Sequence, residues 1–252
     1  MLRPRIIPCL LISKKGLVKT VNFKNPKYIG DPINAVKIFN EKEVDEIMIL
    51  DIDASTLNQP PNFSLIEKLA LECRMPLAYG GGIKKIEDVI TIIKLGCEKV
   101  VISSAAILNP ILIKEASNKV GKQSISVVAD VKKNFFGNYN IFFHNGTVEC
   151  GISLKDFVKK MEDFGAGEIV LNSIDYDGTG LGYDLDLVEY VRDLIDIPIT
   201  VLGGAGTLND VKKLVNKFGI IGAAAGSLFV LKGKYRAVLI SYPSYQEKLK
   251  IF

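Results

Sequence analysis

Short runs rich in β-branched and aliphatic residues recur along this chain, and most are followed by a longer segment with apolar residues at i, i+3 and i+4. The strand candidates fall at 5–12, 46–53, 77–79, 99–103, 125–130, 168–173, 198–202 and 220–224. Between them, Pro32 to Val44, Phe63 to Glu72, Ile86 to Leu95, Pro110 to Val120 and Leu154 to Phe164 carry the helical period. Parallel strands need a crossover, usually a helix, and eight βα units in 252 residues match the size of a closed barrel. The expected architecture is α/β, a single (β/α)8 TIM barrel over residues 1–252. An open doubly wound sheet normally places a glycine fingerprint after its first strand, and none follows Leu11.

An internal repeat sharpens this expectation. With a spacing of 122 residues, Asp53 maps onto Asp175, Gly81-Gly82 onto Gly203-Gly204, Asp88-Val89 onto Asp210-Val211, and Ser103-Ser104-Ala105 onto Ala225-Gly226-Ser227. Two half-barrels of four βα units each are implied. Two segments interrupt the alternation. Residues 132–151, with Phe135-Phe136-Gly137 and His144-Asn145-Gly146, read as an inserted hairpin after the fifth strand. Ser13 to Asp31 reads as a long connection whose Lys14, Lys15, Lys19 and Lys24 suit it to fold over an anionic substrate.

Composition narrows the function classes. A 48% hydrophobic chain can bury a sizeable core, and a net charge of +4 from scattered Lys and Arg lacks the basic patch of a nucleic-acid binder. A phosphorylated small molecule stays open as a ligand. No apolar run approaches the roughly 18 residues that would cross a bilayer, and Met1-Leu-Arg-Pro-Arg does not open a cleavable leader, so the expected location is cytoplasmic. Cys9, Cys73, Cys97 and Cys150 show no metal spacing and read as reduced thiols. His144, without a second histidine, offers no metal site or triad and reads as a surface loop residue; neither metal nor cofactor is expected.

Barrel chemistry sits at the carboxyl ends of the strands. There, Gly80-Gly81-Gly82 with Ser103-Ser104, and Gly203-Gly204 with Gly226-Ser227, leave backbone N–H groups unobstructed before helix starts, as two phosphate sites would, although glycines also simply make tight turns. Asn172 and Ser173 end the sixth strand among the same candidates. Asp130 closes Val127-Val128-Ala129-Asp130 and is placed either as a general acid or base or as a cap or ion-pair partner of Lys132. Aligning the first strands of the two halves with a three-residue shift makes Leu11 the mate of Asp130, and leucine transfers no proton. Asp175 and Asp177 either bind substrate hydroxyls or shape a turn. At the opposite rim Arg5, Glu46, Lys99 and Glu168 open four strands, as a solvated ring or as a charge-compensated plug over the axis.

These residues carry a resemblance. Arg5-Ile-Ile-Pro-Cys, Lys19, Gly30-Asp-Pro, Leu50-Asp-Ile-Asp-Ala-Ser, Gly80-Gly-Gly-Ile, Ala105-Ala106, Asp130, Gly165-Ala-Gly-Glu, Ser173-Ile-Asp-Tyr-Asp-Gly-Thr and Gly203-Gly-Ala-Gly resemble the HisF family, the cyclase subunit of imidazole glycerol phosphate synthase, over essentially the whole chain. The resemblance implies a (β/α)8 barrel that receives ammonia from a HisH-like glutaminase subunit docked at the bottom and uses it at the top on a substrate with two phosphates. In that reaction ammonia attacks a formimino aminoimidazole carboxamide ribotide, yielding imidazole glycerol phosphate and the released aminoimidazole carboxamide ribotide, with no metal or redox cofactor. It further implies that Arg5, Glu46, Lys99 and Glu168 form the ammonia gate, that Lys19 sits on a substrate-covering loop, and that Asp130 is one of two catalytic aspartates. The second aspartate's position is Leu11, a departure from the family pattern, and the chain also looks similar to HisF-like paralogues found with polysaccharide genes, where the ammonia serves amidation of a sugar acid or imidate formation by a third protein.

Overall fold

A computed structural model describes residues 3–14 and 16–252, so Lys15 lies outside the described residues. The chain begins with β1 (Arg5–Ser13), the hairpin β2 (Gly16–Val21) and β3 (Lys24–Gly30), and α1 (Pro32–Glu41). β4 (Ile47–Asp51) leads to α2 (Phe63–Glu72), β5 (Leu77–Gly80) to α3 (Ile86–Lys94), and β6 (Lys99–Ile102) to α4 (Ser104–Leu108) and α5 (Ile111–Val120). β7 (Ile125–Lys133) continues into β8 (Tyr139–Phe143) and β9 (Val148–Ser153) before α6 (Leu154–Asp163). Then follow β10 (Glu168–Ser173), α7 (Leu185–Arg192), β11 (Ile199–Leu202), α8 (Leu208–Phe218), β12 (Gly222–Ala225), α9 (Ser227–Val230), the short pair β13 (Leu231–Lys232) and β14 (Ala237–Val238), and α10 (Tyr245–Ile251).

Strands β1, β4, β5, β6, β7, β10, β11 and β12 pair in parallel, and the β12–β1 and β7–β10 pairings close them into a (β/α)8 barrel. Strand period 2 divides each one between two cores. On β1, Ile6, Leu10 and Ile12 pack in the layer under the helices, whereas Ile7, Cys9 and Leu11 join Met48, Ala78, Val101, Val128, Val170 and Ala224 in an apolar bore. Among the described residues no helix is long and apolar enough to cross a membrane.

The 122-residue repeat reappears as repeated bonding. Asp88 Oδ2 accepts from the backbone N–H groups of Lys84 and Lys85 at the start of α3, and Asp210 Oδ2 accepts from those of Gly206 and Thr207 at the start of α8. Each carboxylate satisfies orphan donors of a helix N-terminus. Asp53 Oδ2 accepts from Lys14 N at 2.8 Å, and Asp175 Oδ2 accepts from Lys133 N at 2.9 Å. Lys14 and Lys133 stand in the same offset as Leu11 and Asp130, so bonding as well as alignment makes those two positions equivalent.

The two interruptions are more ordered than their sequences suggest. Residues 13–31, read as a connection, fold into the β2–β3 hairpin, with β2 antiparallel to β1 and Leu11 opposite Val18. Asn22 and Phe23 both take positive φ at its turn, the geometry of a tight hairpin without the usual Asn-Gly signature. The segment around 132–151 supplies β8 and β9, which extend β7 into an antiparallel meander reaching Ser153.

Candidate active site

At the amino-terminal end of the bore, Arg5, Glu46, Lys99 and Glu168 come together rather than lying apart on a wet rim. Lys99 Nζ bridges Glu46 Oε1 and Glu168 Oε2, each at 3.0 Å, while Arg5 pairs with Glu46 and, at 2.5 Å, with Glu168. Thr200 Oγ1 and Ser126 Oγ donate to the two oxygens of Glu168. Both carboxylates are buried. Burial alone would raise the Glu168 carboxyl, but Lys99 and Arg5 outweigh it and hold it down at about 2. Two positive and two negative groups thus form a compensated plug across the axis.

The opposite end opens into a cavity continuous with solvent. Its lining brings together Lys19, Gly81, Gly82, Ser103, Ser104, Asp130, Asn172, Gly203, Gly204, Gly226 and Ser227 from both halves. Leu11, Leu50 and Leu202 supply an apolar floor. The glycines are required by geometry: Gly81 (φ 126°) would place a Cβ 2.5 Å from Asp51 O, and its repeat mate Gly203 (φ 94°) would place one 2.7 Å from Ser173 O.

Asp130 is held from two sides. Asn172 Nδ2 donates to Oδ1 at 2.8 Å and Ser103 Oγ to Oδ2 at 3.1 Å. Burial pushes its carboxyl up to about 6 against these two bonds, which leaves it mostly ionised yet proton-accepting at neutral pH. Lys19, reaching in from β2, is buried, donates to Cys9 O at 2.7 Å, and has its ammonium pKa lowered by burial. No bond joins Asp130 to Lys132.

Two expectations are corrected here. Asp175 does not line the cavity: β10 ends at Ser173, the chain turns, and Asp177 lines it instead, accepting from Thr20 Oγ1 and Phe23 N. The alternation that places Asn172 inward cannot be continued past the strand's end. His144 does sit on the turn after β8 and is partly exposed, but its side chain faces inward and lines the cavity with Nδ1 buried. The Asn-Gly signal at 145–146 correctly marks a turn, but a turn signal says nothing about where its tip packs. Asp51 also lines the site, its Oδ1 accepting from Asp53 N and Ala54 N and its carboxyl raised by burial. Among the described residues no group of three His, Cys, Asp or Glu is placed to hold a metal ion.

The histidine biosynthesis protein family profile matches residues 5–236. A Vibrio vulnificus (strain YJ016) protein, named only provisionally as imidazole glycerol phosphate synthase subunit hisF3, is 57% identical over 99% of this chain and 96% of its own length. A Leptospira interrogans protein with the provisional name imidazole glycerol phosphate synthase subunit HisF is 53% identical over the full length of both. Identity falls to 38%, over 91% of each chain, for the Streptococcus mutans imidazole glycerol phosphate synthase subunit HisF, which is named without qualification.

Proposed function

Because the chain belongs to the histidine biosynthesis protein family, as a HisF-like member, we propose that it is the synthase subunit of a glutamine-dependent complex, diverged from the histidine step. A HisH-like glutaminase docks beneath the Arg5, Glu46, Lys99 and Glu168 plug and releases ammonia there. The neutral molecule needs no counter-charge to cross the apolar bore from Ile7 to Leu202. At the mouth, the two glycine and serine clusters hold the ends of a doubly phosphorylated or related substrate, and Lys19 closes over it. Asp130 accepts the proton that the attacking nitrogen loses.

One arrangement carries this reading: a paired-charge plug, an apolar bore and a cavity with a buried carboxylate follow one another along the barrel axis. Leu11 supports the divergence. General acid–base assistance is worth roughly 10²–10⁴-fold, and this barrel carries a carboxylate at one repeat-related position and a leucine at the other. The higher identity to provisionally named relatives points the same way. A second reading is ammonia delivery for amidation of a surface-polysaccharide sugar, which Leu11 admits only in that it weighs against the ordinary cyclase. A subunit that only activated its glutaminase would have no use for Asp130 held as it is.

The test is product formation from ammonium ions and the formimino ribotide by the purified protein, with Leu11→Asp run in parallel. We expect little turnover by the natural sequence and at least a tenfold gain in the variant. Robust turnover by the natural sequence would overturn the divergence and leave an ordinary cyclase.

A further inference from the structure

Buried polar side-chain atoms almost always find partners, because one left without a partner forfeits its bond to water. Among the described residues, two of the exceptions line this one cavity, His144 Nδ1 and Asn172 Oδ1.

His144 is held there by construction. Register pairs Phe142 with Asp130, which carries the end of β8 over the buried carboxylate. Beyond it, His144 N donates to Ser104 Oγ at 3.4 Å, Asn145 Nδ2 donates to Ile52 O at 2.8 Å, and Thr147 Oγ1 donates to His144 O at 2.6 Å. The imidazole rests against Phe143, with ring centroids 4.8 Å apart. The backbone at His144 takes φ 49°, a conformation that few residue types adopt readily.

We propose that His144 is a substrate-contacting residue whose Nδ1–H donates a hydrogen bond to an anionic oxygen of the ligand at the Ser104 end of the cavity. The inference rests on the reading of this cavity as the site of a phosphorylated substrate. The ligand's other requirement follows from Asn172. Its Nδ2 faces the Asp130 carboxylate, which can only accept while ionised, so Oδ1 is fixed as an acceptor, 3.5 Å from where a Cβ on Gly203 would stand. The complementary molecule places a phosphate oxygen at His144 and a hydroxyl or N–H over Asn172, as a phosphorylated polyol or amine would.

His144 is the chain's sole histidine, so its two ring nitrogens give unambiguous signals in a long-range proton–nitrogen NMR spectrum of untagged protein. Inorganic phosphate is the probe. Its addition should shift the Nδ1 resonance together with the Ser103 and Ser104 amides, and H144A should weaken phosphate binding at least tenfold. H144N, whose amide nitrogen overlays Nδ1 and whose backbone tolerates positive φ, should bind within about threefold of the natural protein. Phosphate that shifts the serine amides but leaves Nδ1 unmoved, with H144A binding unchanged, would overturn the role of His144 and leave the cavity reading standing. Failure of the natural protein to bind phosphate overturns both. Should H144A not fold, the Nδ1 shift and H144N decide.

Discussion

Asn22 and Asn145 make the same bond in opposite directions across the barrel mouth. Asn22 Nδ2, on the turn between β2 and β3, donates to Ile174 O at 3.0 Å; Asn145 Nδ2, past the end of β8, donates to Ile52 O at 2.8 Å. Ile52 and Ile174 are 122 residues apart, so each half-barrel clasps the equivalent carbonyl of the other. Both asparagines take positive φ, at 50° and 55°. The two tips also meet, for a Cβ on Gly146 would lie 3.1 Å from the Phe23 ring. The walls over the cavity are therefore coupled through the tips of these two turns.

Asn145→Ala should loosen this clasp. It removes one hydrogen bond, worth about 1 kcal/mol, and imposes a left-handed backbone on alanine at a cost of about 1–2 kcal/mol. We expect a loss of about 2 kcal/mol by urea denaturation and faster proteolytic cleavage between 134 and 147. Asn145→Gly should recover most of the backbone part. Equal losses in both variants would mean that the side-chain bond alone matters.

Gly226→Ala probes the buried lysine. A Cβ there would fall 2.0 Å from Lys19 Nζ and 3.0 Å from Cys9 O. The amine, at the end of a flexible stem, must yield, so stability should change by less than about 1 kcal/mol while Lys19 leaves its pocket. Burial lowers the Lys19 pKa but also shields the amine; release returns the pKa toward its usual value, which by itself slows acylation, so the gain in access sets the direction. Mass-spectrometric mapping of amine acylation at pH 8 should show Lys19 modified slowly in the natural protein and at least fivefold faster in the variant. Equal rates would place Lys19 outside the cavity in solution.

Asp130→Asn should separate stability from activity. The folded carboxyl titrates near 6 against an ordinary 3.8, so between those values the folded state holds a proton that the unfolded chain has lost. Stability from this group is therefore present below about pH 4 and lost as pH rises through 6, by about 3 kcal/mol at roughly 1.4 kcal/mol per pH unit. In the variant that pH-dependent fall disappears, and its stability relative to the natural protein should improve from pH 4 to pH 8. Turnover should drop 10²–10⁴-fold, with glutaminase binding unchanged. Undiminished turnover would remove Asp130 from the chemistry.

The barrel was legible because its signals are local and repeated. β10 ran where its β-branched and aliphatic residues placed it, and α2 where its apolar period did. Gly81 and Gly203 were legible for a stronger reason: both adopt backbone angles that disfavour a side chain, so the residue type records the geometry. The β2–β3 hairpin was not legible, since Lys24-Asn25-Pro26-Lys27 lacks any apolar alternation and the strand is held by pairing with β2 alone. His144 was missed because its place depends on Asn145 reaching Ile52 O, a bond between residues 93 apart in sequence. The sequence named Asp175 and Asp177 together and could not choose between them, because strand periodicity stops at Ser173 and a turn obeys different rules.

Lys99→Ala tests the plug at the base of the bore. Its ammonium bonds both buried glutamates, and removing it leaves Glu46 and Glu168 with Arg5 as their shared cation. Breaking a buried pair from one side costs about 3–5 kcal/mol; the Lys99 side chain is 18% exposed, so about 2–4 kcal/mol is expected at pH 7. The sign with pH follows from Glu168. Its carboxyl is held at about 2, so its stabilising contribution is complete above about pH 4.5 and lost as pH falls toward 2. Without Lys99 that carboxyl rises, so the gap between variant and natural protein should narrow on acidification through this window. In the complex reconstituted with its glutaminase, glutamine hydrolysis should continue while product formed per glutamine falls at least twofold. Unchanged coupling, even with the loss of stability, would make the four charges a structural plug with no part in passing ammonia.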